Sequence, residues 1–440
     1  MRRSCVNIGN ARLYGLEADL GLTPSQFQVA VSVFFVPYLL LEVPSNLLLQ
    51  RLTPRRWLAA LSFTWGLVAA LSGLVRSHAA LLACRLLLGA LEAGLFPGLT
   101  VYLTLFYTRR ELARRVGYLF VSAAVAGALG GLLAFGIGKL DGKAGMRGWR
   151  WILIVEGLPS VVLGAATWVW LPSDTKTARF LSEGERARME LRRRGEYGDT
   201  KSGRELSARD VRAAFQDWKV WAFCAAQFGV DTMLYGYSTF LPTIIKGLGR
   251  WSPAQVQLLT IPCYFVGAAA YMAAATGSDR AGRRGPWCVG FGALSVVGYA
   301  VLLGAGGTPA GVRYFACFLV AAGLYVVVGL PLAWLPNNCP RYGKRATATG
   351  LQLTIGNAAG IMSSFLYPTA EGPRFVRGHA VTLAMVAVGT VIYGLMWAWY
   401  RRENGRRGPG GAAVKEEHKD LSDDELQELG DESPHFKYTT

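Results

Sequence analysis

Gln255–Thr276 reads QVQLLTIPCYFVGAAAYMAAAT, 22 residues without a single acidic or basic side chain, and is followed by Gly277-Ser278-Asp279-Arg280-Ala281-Gly282-Arg283-Arg284. Past Gly285-Pro286 a second apolar run starts at Trp287. A helix rises about 1.5 Å per residue and a bilayer's hydrocarbon core is about 30 Å thick, so about 20 apolar residues suffice to cross it. Two such runs joined by a short basic turn read as a pair of antiparallel transmembrane helices, the arginines held on the cytoplasmic side.

The same pattern recurs along the 440 residues. Eleven runs qualify, at 27–49, 57–75, 81–107, 116–138, 151–171, 218–245, 255–276, 287–304, 312–335, 348–367 and 380–400. In lipid the backbone must satisfy its own hydrogen bonds, and these runs lack the alternation of a barrel strand, so helix is the expected state. The expected class is an all-α polytopic membrane protein. The composition agrees: 52% of residues are hydrophobic and 17% charged, against about 25% charged in soluble domains. The net charge of +17 does not form one patch but is dispersed in clusters between runs, which argues for lipid rather than nucleic acid as the partner.

The clusters at 51–56, 109–115, 280–284, 341–345 and 401–407 lie on one side, which is expected to be cytoplasmic together with the C-terminus. The expected organisation is a remnant or loop over 1–26 and a bundle of five helices over 27–171. A cytoplasmic linker over 172–217 and a bundle of six over 218–400 follow. The tail over 401–440 turns from basic to acidic and is expected to be disordered.

Several chemistries find no support. The seven cysteines show no CxxC pair, and the four histidines lie outside the apolar runs, so no metal site is expected. No GxxxxGK[ST], HExxH or GxSxG stretch occurs, so neither ATP-driven transport nor an enzyme is expected, and no cofactor.

Family motifs add to this reading. Asp279-Arg280-Ala281-Gly282-Arg283-Arg284 resembles the loop motif of the major facilitator superfamily. Arg85-Leu86-Leu87-Leu88-Gly89-Ala90-Leu91-Glu92-Ala93-Gly94-Leu95-Phe96-Pro97-Gly98 resembles the fourth-helix signature of its anion:cation symporter family. Glu42-Val43-Pro44-Ser45-Asn46, Gly148-Trp149-Arg150-Trp151 and Asn337-Asn338 are similar to the fungal branch that includes allantoate, nicotinate, pantothenate and biotin permeases. The resemblance implies twelve helices as six plus six, a plasma-membrane location, and proton-coupled uptake of a small organic anion by alternating access. The stretch from Gln227 to Lys246 is most similar to nicotinate-permease-like members. One departure stands out. The family's first helix ends in an Asp-Arg pair just before Asn-Ile-Gly-Asn-Ala, whereas here Ser4-Cys5 occupy those positions and only six residues precede Asn7. Eleven helices, five plus six, with the first one missing, are therefore expected. The rival readings are a truncated, transport-inactive member and a nutrient sensor.

An ionisable group at the centre of a membrane helix costs about 2.5–3.5 kcal/mol on insertion scales, so each calls for a reason. Arg85 and Glu92 stand two turns apart on one helix face. A guanidinium suits a substrate carboxylate, and Glu92 is the expected proton-coupling group; a structural Arg/Glu pair is the alternative. Asp231, with Gln227 and Tyr235 nearby, and Asn357 between Gly356 and Gly360 are expected to contact substrate or to serve as buried structural hydrogen bonds. Glu42 is expected to be structural. Asp279, Arg280, Arg283 and Arg284 are expected to form a cytoplasmic conformational latch.

Overall fold

The computed structural model describes residues 2–104, 133–175, 180–189, 208–304, 308–407, 430–434 and 436–440, with single residues between 106 and 131 and at 177 and 178. Among the described residues the regular structure is helical and no strand occurs. The first half contains α1 (Arg2–Leu13), α2 (Leu16–Asp19), α3 (Pro24–Ser32), α4 (Phe35–Leu52), α5 (Pro54–Leu71), α6 (His78–Glu92), α7 (Leu95–Thr104) and α8 (Gly148–Trp170). The second contains α9 (Ala208–Gln216), α10 (Trp218–Lys246), α11 (Pro253–Ala281), α12 (Gly285–Leu303), α13 (Ala310–Gly329), α14 (Pro331–Asn337), α15 (Tyr342–Ser363) and α16 (Val376–Arg406).

Local chemistry sets the helix ends. α3 and α11 both start with a reciprocal capping box, Thr23 with Gln26 and Ser252 with Gln255, each followed by a proline in the first turn. α11 stops at Gly282, whose φ of 62° is the left-handed conformation that glycine adopts without strain. Seven helical segments among the described residues are long and apolar enough to cross a membrane: 24–42, 54–74, 148–170, 253–281, 285–303, 310–337 and 376–406. α10 is more polar and runs through the middle; every residue from Gly229 to Ile245 is buried.

The bundle is apolar outside, and polar side chains are set within its mainly apolar interior. Leu40, Val162, Trp170 and Leu395 are 65–81% exposed, whereas Gln227, Gln257, Gln352 and Thr232 are at most 1% exposed. This arrangement would be costly in water and is the expected one in lipid.

Three expectations differ from what is observed. Of the segment expected as a remnant or loop, Arg2–Leu13 is helical rather than loop: α1 packs along α10, its buried Asn10 accepting from Gln257 Nε2 of α11 at 3.0 Å, and Ile8 and Ala11 lie in the core. The run 27–49 is broken at Val33–Phe34 into α3 and α4, and the run 81–107 at Ala93–Gly94 into α6 and α7. Within the linker, α9 packs against α15, with Asp210 bonded to Arg341 Nε at 2.7 Å. The tail is not free along its whole length; residues 408–429 and 435 lie outside the described residues, but 430–434 and 436–440 dock onto the bundle. The expected span 116–138 also lies largely outside the described residues.

Candidate functional site

Buried polar side chains gather where the first-half helices α3 and α4 meet α10 and α15. Gln227 is the hub. Its Nε2 donates to Asp231 Oδ1 at 3.0 Å, one turn along α10, and to the Val328 carbonyl at 3.5 Å. Its Oε1 accepts from Gln352 Nε2 at 3.0 Å and from the Tyr393 hydroxyl at 3.2 Å. Both donors and both lone pairs of the amide are thereby used.

Two turns further along α10, the Tyr235 hydroxyl donates to Asn357 Oδ1 at 2.6 Å. Glu42 of α4 lies close to Asn357, so this chain of contacts crosses from one half to the other. The Phe35 ring meets Tyr235 edge-on, with centroids 4.9 Å apart. The glycines of α15 permit this approach. A methyl group at Gly356 would collide with the Asp231 carboxylate, and one at Gly360 with the Phe35 ring. The Gly356/Gly360 pair therefore packs two faces at once, one toward α10 and one toward α4.

Arg85 and Glu92 are both buried, at 3% and 1% exposure, so neither faces lipid. Arg85 donates from Nε to the Ala30 carbonyl at 2.9 Å and from Nη2 to the Val31 carbonyl at 3.5 Å, and stacks over Phe34 with its Cζ 4.6 Å from the ring centroid. Those carbonyls flank the α3–α4 break, so the guanidinium caps backbone that the break leaves short of partners. Gly89 allows α6 to come this close, since a methyl there would strike the Phe34 carbonyl. Glu92 Oε2 accepts from Trp65 Nε1 of α5 at 3.1 Å.

At one end of the bundle the chain's last residues are held by several second-half elements. Lys344 Nζ lies 2.7 Å from both Asp431 Oδ1 and Asp217 Oδ2, and Lys219 Nζ lies 3.0 Å from Asp431 and 3.1 Å from Asp217. Burial opposes the charge on Asp431, but the two ammonium groups outweigh it and hold the carboxyl below its usual range. Asn404 pairs with the Tyr438 backbone in both directions, and Asn338 does the same with Thr439. Trp334 Nε1 donates to the Thr439 carbonyl at 2.8 Å, and Arg407 Nη1 to the carbonyls of Asp431, Ser433 and Phe436. In the Asp279–Arg284 motif, Arg284 pairs with Asp279 at 3.2 Å and its backbone N–H donates to the Thr440 carbonyl, while Arg280 and Arg283 are exposed.

Sequence reasoning placed Gln227 with Asp231 and Tyr235, and the structure adds Asn357 to Tyr235. It missed Gln352 and Tyr393, polar groups inside runs read only for their length. It also missed the reach of Glu42 across the halves and the Asp217, Lys219, Lys344 and Asp431 cluster. A charged residue at the very start of a run, such as Lys219, carries no signal of its distant partner.

The sequence profile of the Major Facilitator Superfamily matches residues 7–364. A transporter of Schizosaccharomyces pombe is 40% identical over 91% of this chain and 79% of its own length. The high-affinity nicotinic acid transporter of Saccharomyces cerevisiae is 31% identical over 98% of this chain and 79% of its own. Among solved structures, an inward-facing bacterial homologue of the human lysosomal transporter Spinster aligns with a TM-score of 0.69 at 15% identity, over 90% of this chain and 95% of that one. The proton:xylose symporter XylE aligns with a TM-score of 0.66 at 16% identity, again over 90% and 95%.

Proposed function

The chain belongs to the major facilitator superfamily, and from that membership we propose that it is a proton-coupled secondary transporter of a small carboxylate, with nicotinate the first substrate to test. The observation that carries the transport reading is the buried polar cluster of Gln227, Asp231, Tyr235, Asn357 and Gln352, in a bundle whose outside is apolar. A polar solute needs such groups to replace its hydration on the way across. The substrate class is supported by the nicotinic acid transporter of S. cerevisiae, aligned over nearly the whole of this chain.

In this reading Arg85 receives the substrate carboxylate and Glu92 responds to its arrival. Each is held by neighbours in the present conformation, so the substrate competes with the Ala30 and Val31 carbonyls for the guanidinium. Asp279, Arg280, Arg283 and Arg284 act as a latch at the end where the tail docks. The membrane is the plasma membrane, with the C-terminus on the cytoplasmic side. The alternating motion rocks the two halves about the α4–α15 seam.

The test is uptake of radiolabelled nicotinate by cells that lack their own carrier and express the full chain. Saturable uptake that rises as external pH falls, and that a protonophore abolishes, is the expected result. Expression at the cell surface without uptake of nicotinate, pantothenate or allantoate at any pH overturns the proposal.

A further inference from the structure

Glu42 has a position that no other carboxylate of the described residues shares. It lies seven residues into α4, about 10 Å from the end of the helix at Phe35, and is 6% exposed. Its side chain meets Asn357 of α15, in the other half of the molecule, and Asn357 is in turn held by Tyr235 of α10. Because Asn357 Oδ1 already accepts from the tyrosine, its amide N–H is the group that faces Glu42. The second carboxyl oxygen, Oε2, is buried with no hydrogen-bond partner among the described residues. A buried carboxyl with one oxygen engaged and the other open has room for a proton on the open oxygen.

The helices packed on α4 carry other titratable groups, and those with recorded contacts are directed elsewhere. On α6, Arg85 turns to the Ala30 and Val31 carbonyls and Glu92 to Trp65, while His78 and Cys84 lie toward the start of that helix. On α5, Arg55 donates to the Trp168 carbonyl and Arg56 stands beside it at the helix start. α7 carries Tyr102, bonded to the Pro172 carbonyl, and α3 carries no titratable group. On α15, Tyr342, Lys344 and Arg345 lie in the first turn, with Lys344 committed to Asp217 and Asp431. On α10, Asp231 accepts from Gln227, and Tyr235 reaches Glu42 only through Asn357. Tyr38 lies one turn before Glu42 on α4 itself, stacked on Phe34.

Contacts across the seam among the described residues include Asn10 with Gln257, Arg12 with the Tyr367 carbonyl, Phe35 with Tyr235, and Glu42 with Asn357. When two halves rock about a central site, contacts of this kind are made in one state and broken in the other. We infer that Glu42 is a proton-carrying switch at the seam, whose protonation is linked to whether the α4–α15 contact is closed or open. The step is a simple transfer: an O–H bond forms on Oε2 with a proton taken from the water that enters when the seam opens. The same bond breaks when the proton returns to water on the other side. The inference deepens the transport reading and rests on it, adding a second proton-carrying group to the expected one, Glu92. A ligand that binds two states unequally shifts their ratio, and a proton obeys the same rule.

The experiment needs no substrate, so a failure of the nicotinate reading and a failure of this one are separable. Fluorophores are placed at the exposed residues Lys139 and Arg250, on loops of opposite halves, through encoded unnatural amino acids. Energy transfer is then followed in the purified full chain in nanodiscs from pH 5 to pH 8. One linked proton changes the open-to-closed ratio by up to about tenfold per pH unit. The native protein is expected to show a change of roughly tenfold or more across the range. Glu42→Gln, which keeps the shape and the Asn357 contact, is expected to flatten it to less than about twofold, and Glu42→Asp to restore it. A monodisperse elution profile matching the native one qualifies each variant. The inference is overturned if the native ratio ignores pH, or if Glu42→Gln retains the native response.

Discussion

Replacing Asp431 with alanine tests whether the docked tail is part of the folded bundle. The native cluster is balanced, with Asp431 and Asp217 against Lys219 and Lys344 at 2.7–3.1 Å, and the side chains of Asp431 and Asp217 only 3% and 6% exposed. Removing one carboxylate leaves two buried ammonium groups to share the other. Breaking a buried pair by deleting one partner costs about 3–5 kcal/mol, because the survivor keeps its desolvation penalty. For a unit the size of the second bundle, each kcal/mol moves Tm by about 2–4 °C, so a fall of about 6–20 °C is expected. The assay is thermal unfolding of the detergent-solubilised full chain, followed by loss of the monodisperse peak after heating. The pH dependence has a definite sign. Asp431 is held below its usual range, so its contribution is present above pH about 4 and is lost as pH falls through its lowered folded value. The gap between native and Asp431→Ala should therefore stay constant from pH 8 to pH 5 and close only in stronger acid. A Tm within 1 °C of native across that range would refute the reasoning. Replacing all four charged residues with apolar ones of similar size should restore most of the loss, since a buried network often breaks even against good packing.

Arg85→Met should lower stability by about 2–4 kcal/mol, because two carbonyls at the α3–α4 break lose a charged donor; normal thermal unfolding with only KM raised would show that Arg85 serves substrate alone. Gly89→Ala should cost about 1–3 kcal/mol, as the added methyl meets the Phe34 carbonyl and α6 must move outward, again read by thermal unfolding. Tyr393→Phe removes one of two bonds to Gln227 Oε1 and should cost about 0.6 kcal/mol, typical of polar contacts inside membrane bundles. If the cluster contacts substrate, the same variant will raise KM for nicotinate uptake while leaving surface expression unchanged.

The membrane fold was written in run lengths and in charge placement, because lipid forces a backbone to close its own hydrogen bonds and holds arginines at the ends. Gln255–Thr276 and its basic turn needed no tertiary information to be read as a helix followed by a reversal, and α11, Gly282 and α12 lie there. The grouping of Gln227, Asp231 and Tyr235 was legible too, since a spacing of four residues along a helix fixes a shared face. The helix breaks at Val33–Phe34 and Ala93–Gly94 were passed over by run length, although each has a local cause: Val33 and Ala93 stand four residues before Pro37 and Pro97, whose rings remove a donor and crowd the carbonyl four residues back. No local pattern could show that Glu42 meets Asn357, 315 residues on, or that Asp431 in an acidic tail closes a ring with Lys219 and Lys344. Burial makes a polar group depend on a partner, and which partner it finds is settled only when distant helices pack.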